Sequence, residues 1–455
     1  MGNALAIHIP IGHVTIEKMD KSTRSFILRN QKIFGHPQAD AIVVIEGKID
    51  WIGKQEQVPK STSIPEIQMP PHLITPGFIN SHTHVAMTLF RDISHSNPQM
   101  IEKLFFPVES QLQRDWIAGL SYPSLLSALR SGTTCVFDHY YFADAVGESI
   151  EKLGMRGLVC ETLADRSGAK PNRDILNQWK KTVANWKFSD RVRPAVGPHA
   201  SDTVSPEFAK EIAEFAESEK LPLHFHLSQT ERERNLVLKE FGITPVALAK
   251  KNGWLKENSI AVHLVSADIR DLEILKDTGS FAGLSPVSQI LYENVAPLED
   301  IFGLKIPSVL GTDCAASNDS FEMKPELRTL SLLLRDRGVR VSTKELLRTA
   351  WENPAKVYGM PNLATLQPKV TTDFVLWPIE LQNRPMLDME SNLIFSQTSM
   401  RASHVMIDGN WALIDGQPTG ISEKEMGEKF EFAMQSFRKI YQPPESGMNF
   451  NWSEF

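Results

Sequence analysis

The chain reads as an α/β protein built as a (β/α)₈ barrel of TIM type, and three observations predict this. Between Pro76 and about Pro354, short apolar runs alternate with longer segments whose apolar residues recur at helical spacing. Strand and helix in strict alternation argue for a parallel sheet, and this many repeats argue for a barrel. Histidines and an aspartate close several of the runs, where barrels of this kind keep their chemistry. A doubly wound open sheet would spread the same residues along an edge instead of bringing them together.

The elements follow in order. Residues 25–30, 41–46 and 49–53 are β-prone and separated by turns, with no helical pattern between the last two. The barrel pattern begins with the apolar run that ends Ser81-His82-Thr83-His84. It continues through runs at 133–138, 157–162, 193–197, 221–227, 259–265, 280–284 and 308–313. Intervening segments such as 205–220 and 244–252 carry helical periodicity. Short strands return at 374–377, 402–407 and 411–414, and 421–441 reads as a closing helix that packs against the rest. The expected units are 1–75, a barrel over 76–365, 366–420, and a helix and tail over 421–455.

Composition narrows the class. A chain of 455 residues, 42% hydrophobic and 23% charged, can bury a large core. A net charge of −7 and the lack of any basic run argue against nucleic acid or an anionic membrane as partner. The three cysteines, Cys135, Cys160 and Cys314, form no disulfide framework and suit a reducing compartment. No signal-peptide pattern opens the chain, Ala6 stands where a myristoylation signal needs Ser or Thr, and no apolar run approaches membrane-spanning length. A cytoplasmic protein acting on a small molecule is expected.

Successive side chains on a strand alternate between faces, so His82 and His84 leave the same face about 7 Å apart along the strand. Two imidazoles so placed can grip one metal ion. A lone pair of this kind is weak evidence. Three further runs strengthen it: Leu223-His224-Phe225-His226, Ala261-Val262-His263, and Leu310-Gly311-Thr312-Asp313. Imidazoles with a carboxylate suit zinc or iron and leave a position open for water, whereas structural zinc sites favour cysteines.

The motifs PGFINSHTHVAMTLFR, VGPHASD, LHFHLSQT, AVHLVS and LGTDCAASNDS, flanked by Glu46-Gly47-Lys48-Ile49 and Val405-Met406-Ile407-Asp408-Gly409, resemble the amidohydrolase superfamily. The likeness is greatest to its cytosine-deaminase-like branch, with adenosine-type and S-adenosylhomocysteine deaminases, guanine deaminases and triazine hydrolases. The resemblance implies that the two chain ends pair into a small β-sandwich beside the barrel. It implies one divalent metal, zinc first and iron or manganese as alternatives, held by His82, His84, His226 and Asp313. By the same likeness Asp313 moves the water's proton, His263 orients the nucleophile or substrate, and His224 packs beneath the site. Glu109 matches a glutamate that holds ribose hydroxyls, His199 matches a histidine that meets substrate, and Ser317 contributes a hydrogen bond near the metal. His139 and His95 are weaker candidates at the mouth. Relatives are usually dimers, so a homodimer is implied.

Three departures stand out. In the deaminases of the branch the strand-5 histidine is followed three residues later by a glutamate that shuttles a proton to the substrate ring. Here the segment reads His226-Leu227-Ser228-Gln229. An amide donates a hydrogen bond but transfers no proton at a useful pKa, and general acid catalysis is worth about 10² to 10⁴ in rate. Gln229 therefore leaves three routes open. Another carboxylate, Glu161 or Glu231, supplies the proton; the leaving group needs none, as with a halide; or turnover is lost and the site only binds. Glu161 also stands where those deaminases carry an arginine, and Gly283-Leu284-Ser285-Pro286 replaces a Ser-His-Asn-Pro segment. The expected activity is an aminohydrolase acting on an N-heterocyclic or nucleoside-like substrate. A triazine-type chlorohydrolase and a metal-retaining binding protein are the alternatives.

Overall fold

The computed structural model describes residues 13–15, 20–59, 64–92, 100–292, 294–370, 373–396 and 401–442. His95 lies outside them. The fold is mixed α/β. Its central strands are β1 (Phe78–His84), β2 (Thr133–Tyr140), β3 (Arg156–Leu163), β4 (Val192–Pro198), β5 (His224–Leu227), β6 (Ile260–His263), β7 (Phe281–Leu284), β8 (Ser308–Leu310) and the short β9 (Asp313–Cys314). β1 to β4 form one run of parallel neighbours and β5 to β8 another. A parallel bridge from Val196 to Leu223 links β4 to the residue before β5. Asp313 pairs with Thr83, and Cys314 with His84, so β9 returns to the edge of β1. These strands are buried along nearly their whole length, as expected for parallel strands covered on both faces.

The helices include α1 (Arg114–Arg130), α2 (Ala143–Leu153), α3 (Glu231–Phe241), α4 (Pro286–Tyr292), α5 (Met323–Asp336) and α6 (Glu423–Ile440), the last packed on α1. The Thr230 hydroxyl accepts the Glu233 N–H at 3.1 Å and starts α3 with a side-chain cap. No helix among the described residues is long and apolar enough to cross a membrane.

The expected strands at the two ends of the chain are present. Residues Phe374–Pro378 pair antiparallel with His72–Pro76 on one side and with His404–Ile407 on the other. A second, mainly antiparallel sheet holds Phe26–Arg29, Ala41–Ile45 and Lys48–Gly53. Phe26, Leu28, Ile42 and Val44 from that sheet share one apolar cluster with Phe374, Leu376, Met406 and Trp411 from the other. The two motif turns singled out in the sequence meet here. A Cβ placed on Gly47 (φ +78°) would lie 2.3 Å from the Gly409 Cα, so the close approach requires glycine. A buried ion pair ties this region to the central strands. Arg156, at the start of β3, meets both oxygens of Asp373 at 2.8 and 3.0 Å.

Candidate metal centre

His82 and His84 lie on one face of β1 with ring centroids 4.7 Å apart, as strand alternation requires. His226, on β5, brings its ring to 5.1 Å from His82 and 5.3 Å from His84. The Nε2 atoms of His84 and His226 are 3.3 Å apart. Asp313 Oδ1 stands 3.4 Å from His84 Nε2 and 3.7 Å from His82 Nε2. Three overlapping triads, His82–His84–Asp313, His82–His226–His263 and His84–His139–His226, each keep one donor atom per residue within 4.8 Å of the others.

The hydrogen bonds fix which nitrogen carries the lone pair. His84 Nδ1 donates to the His139 carbonyl, and His226 Nδ1 donates to the His199 carbonyl at 3.0 Å, which leaves each Nε2 as a donor toward an ion. His82 Nδ1 lies 2.8 Å from His224 Nε2, and His224 Nδ1 lies 3.9 Å from the Cys160 sulfur. With protons passed along that line, His82 Nε2 is also a lone pair. It is buried and has no hydrogen-bond partner. Such an orphaned nitrogen beside a carboxylate and two matching imidazoles fits a divalent ion, and three nitrogens with one oxygen suit zinc, iron or manganese. Burial holds the His82, His139 and His226 imidazoles well below their ordinary range. It pushes His263 and His199 down to about 4 and His224 to about 3. All six are therefore neutral near pH 7, the form that offers a lone pair.

His263 ends β6, its ring 5.5 Å from His82 and stacked 5.4 Å from His226. His263 (φ 81°) and Asp313 (φ 65°) both occupy the left-handed region, which costs a non-glycine residue about 1–3 kcal/mol and persists where surrounding contacts dictate it.

A cleft opens onto these groups. Met87, Ile101, Phe105 and Phe106 form an apolar wall, while Glu109, His139, His199, Gln229 and Ser317 bring polar groups to it. Glu109 accepts the Tyr140 hydroxyl at 2.7 Å, and burial pushes its carboxyl up to about 7. His199 Nδ1 meets the Thr203 hydroxyl at 3.0 Å. The Gln229 N–H donates to Glu233 Oε2 at 2.7 Å.

Glu161 departs from expectation. It does not line the cleft; its carboxylate accepts the Phe142 and Ala143 N–H groups, both at 2.9 Å, at the start of α2. Strand alternation is the reason. On β3, Cys160 turns to His224 and Thr162 to the cleft, so Glu161 between them faces the helices. Glu231 is exposed in the first turn of α3 and does not reach the cleft. Neither carboxylate stands where it could replace the missing glutamate.

Sequence reasoning passed over Ser288, whose hydroxyl donates to Asp313 Oδ2 at 2.6 Å, and Gln289, whose amide donates to the His263 carbonyl at 2.9 Å. It also passed over Tyr140 and Cys160. Cys160 could have been found from its place in strand register with the histidines; the others carried no local signal.

Comparisons with known proteins agree with this geometry. A 5-methylthioadenosine/S-adenosylhomocysteine deaminase of Moorella thermoacetica is 31% identical over 77% of this chain and 84% of its own length. Another of that name, from Lawsonia intracellularis, is 28% identical over 83% of this chain and 88% of its own. Among solved structures, a zinc-bound adenosine deaminase from Xanthomonas campestris superposes with a TM-score of 0.83 at 20% identity, covering 91% of this chain and 99% of that one. The amidohydrolase family model matches residues 73–412, a span that holds every donor described above, and the chain belongs to that family of hydrolases.

Proposed function

We propose that the chain is a zinc-dependent aminohydrolase that releases ammonia from an N-heterocyclic base or nucleoside, with adenine nucleoside derivatives the first candidates. The supporting relatives carry deaminase names over most of their length. In this reading the eight parallel strands close into a (β/α)₈ barrel with its mouth at the histidines, and the two terminal sheets form a β-sandwich beside it. The pairing of β9 with β1 and the shared apolar cluster support both points.

His82, His84, His226 and Asp313 hold one divalent ion. Bound there, such an ion would supply water with a pKa lowered toward 7, a nucleophile available at neutral pH. Asp313 accepts the attacking water's proton and returns it to the departing amine. His263 hydrogen-bonds the nucleophile and fixes its approach to the reacting carbon. Glu109 receives sugar hydroxyls, His199 and Ser317 contact the ring or its substituents, and the apolar wall stacks against the base. Gln229 donates a hydrogen bond to a ring nitrogen without passing a proton. The observation that carries this reading is the convergence of three imidazoles and one carboxylate, from β1, β5 and β9, at the floor of a cleft with one apolar wall.

Gln229 also favours a second reading, displacement of a halide from a heteroaromatic ring, because that leaving group needs no proton. Ammonia and halide release, measured on one panel of purines, nucleosides, pterins and chlorotriazines, separates the two. Replacement Gln229→Glu sharpens the result. A large gain in deamination means that the amide is a handicap in the native mechanism; no gain means that the native proton travels by another group. Ligand binding without any turnover across the panel would sink both hydrolytic readings.

A further inference from the structure

Two strained residues at the site, His263 and Asp313, end β6 and precede the short helix after β8, and β7 lies between them. The helix that leaves β7 is α4 (Pro286–Tyr292), and two consecutive residues of it reach both neighbours. Ser288 donates to Asp313 Oδ2 at 2.6 Å, and its oxygen lies 2.7 Å from the Ser317 hydroxyl, which itself stands 3.2 Å from the same carboxylate oxygen. Gln289 donates to the His263 carbonyl at 2.9 Å. Successive helical residues point about 100° apart, so adjacent positions can serve strands on opposite sides. Both side chains are buried, at 3% and 1% exposure, so water does not compete for these bonds. The helix is itself tied to the strand end that carries Asp313. Glu326 on α5 accepts the Val287 N–H at 3.1 Å and the Asn318 amide at 2.7 Å, and that amide also donates to the Thr312 carbonyl at 2.7 Å.

Left-handed conformations at non-glycine residues persist only where surrounding contacts over-determine them. We infer that Ser288 and Gln289 are positioning residues. Ser288 engages one oxygen of Asp313 and thereby turns the other toward the imidazoles, and Gln289 holds the His263 backbone at φ 81° with its ring over the site. The inference rests on the hydrolase reading above for its kinetic consequences, but not for its consequence at the metal.

The test uses Ser288→Ala, Ser288→Thr and Gln289→Leu in the full chain, each loaded with Co²⁺ for its visible spectrum and with Zn²⁺ for kinetics. Partners that orient metal ligands are worth about 10- to 100-fold in affinity or activity, so Ser288→Ala should lower kcat by that much. KM should stay within about twofold, as for an interaction made at the reacting atoms only. Threonine keeps the hydroxyl and should restore most of the rate. The Co²⁺ bands of Ser288→Ala should differ from the parent in intensity, and those of Ser288→Thr should not. Gln289→Leu should lower kcat with its Co²⁺ bands unchanged, because His263 is outside the four donors. Parental kcat and parental Co²⁺ bands in Ser288→Ala, or a defect that threonine fails to rescue, would overturn the inference. If the parent turns over nothing on the substrate panel, the hydrolase reading fails, and the Co²⁺ spectra alone still decide whether Ser288 orients Asp313.

Discussion

Replacing Asp373 by Asn isolates the buried ion pair that joins β3 to the terminal sheets. Arg156 and Asp373 are each 1% exposed, and Asp373 also accepts the Asp408 N–H at 3.0 Å. Asparagine keeps the shape and an acceptor but leaves the buried Arg156 guanidinium with the half-exposed Asp408, at 3.2 Å, as its carboxylate partner. Removing one partner of a buried pair costs about 3–5 kcal/mol, because the remaining charge has lost its compensation. With an unfolding entropy of about 2.1 cal/mol/K per residue, a chain of this length has about 1 kcal/mol/K, so Tm should fall by about 4 °C. Scanning calorimetry or near-ultraviolet circular dichroism at one fixed scan rate would read this. The double replacement Arg156→Met/Asp373→Leu should recover most of the loss, since two apolar residues of similar volume need no pairing. A double variant as unstable as the single, or a single variant with parental Tm, would refute the argument that the unpaired charge carries the cost.

Three further outcomes are expected. Elemental analysis should find about one transition-metal ion per chain, and chelation should lower Tm by about 4 °C, since an ion present at 1,000 times its dissociation constant contributes about 4 kcal/mol. Glu109→Gln should raise KM for nucleosides by about tenfold with kcat nearly unchanged and metal content intact, as expected on losing a hydrogen-bonding carboxyl used in binding alone; a fall in kcat alone would contradict this. Burial first, and Asp202 beside it, push Glu233 up from 4.5 to about 7. Its folded form therefore keeps a proton that the unfolded chain loses, and the stability it contributes is complete below pH 4.5 and is lost as pH rises to about 7. The difference in urea stability between the parent and Glu233→Gln should change by about 3 kcal/mol across that window, and parallel profiles would show that the group does not titrate there.

The metal donors were legible because strand chemistry has a period of two. Reading His82 and His84 on one face needs only alternation, and the later runs with His226, His263 and Asp313 repeat the pattern. The same rule, applied to β3, separates Glu161 from Cys160 and Thr162 and would have removed it from the cleft; motif position outweighed parity there. Ser288 and Gln289 were not legible. A serine and a glutamine in a short helix carry no signature, and their importance comes from contacts with residues on two other strands. The terminal sheets were visible as β-prone segments, but their pairing across the length of the chain entered only by likeness to a family.

That long-range pairing has a consequence for biosynthesis. His72–Pro76 is made early, yet its partner Phe374–Pro378 emerges about 300 residues later, or roughly 15–60 s at ribosomal speeds of about 5–20 residues per second. Throughout that interval Leu73 and Ile74 have an unfilled hydrogen-bonding edge. A nascent polypeptide cut short before Asp373 would hold every metal donor and still expose that sticky edge, so such a fragment should aggregate more readily than the full chain.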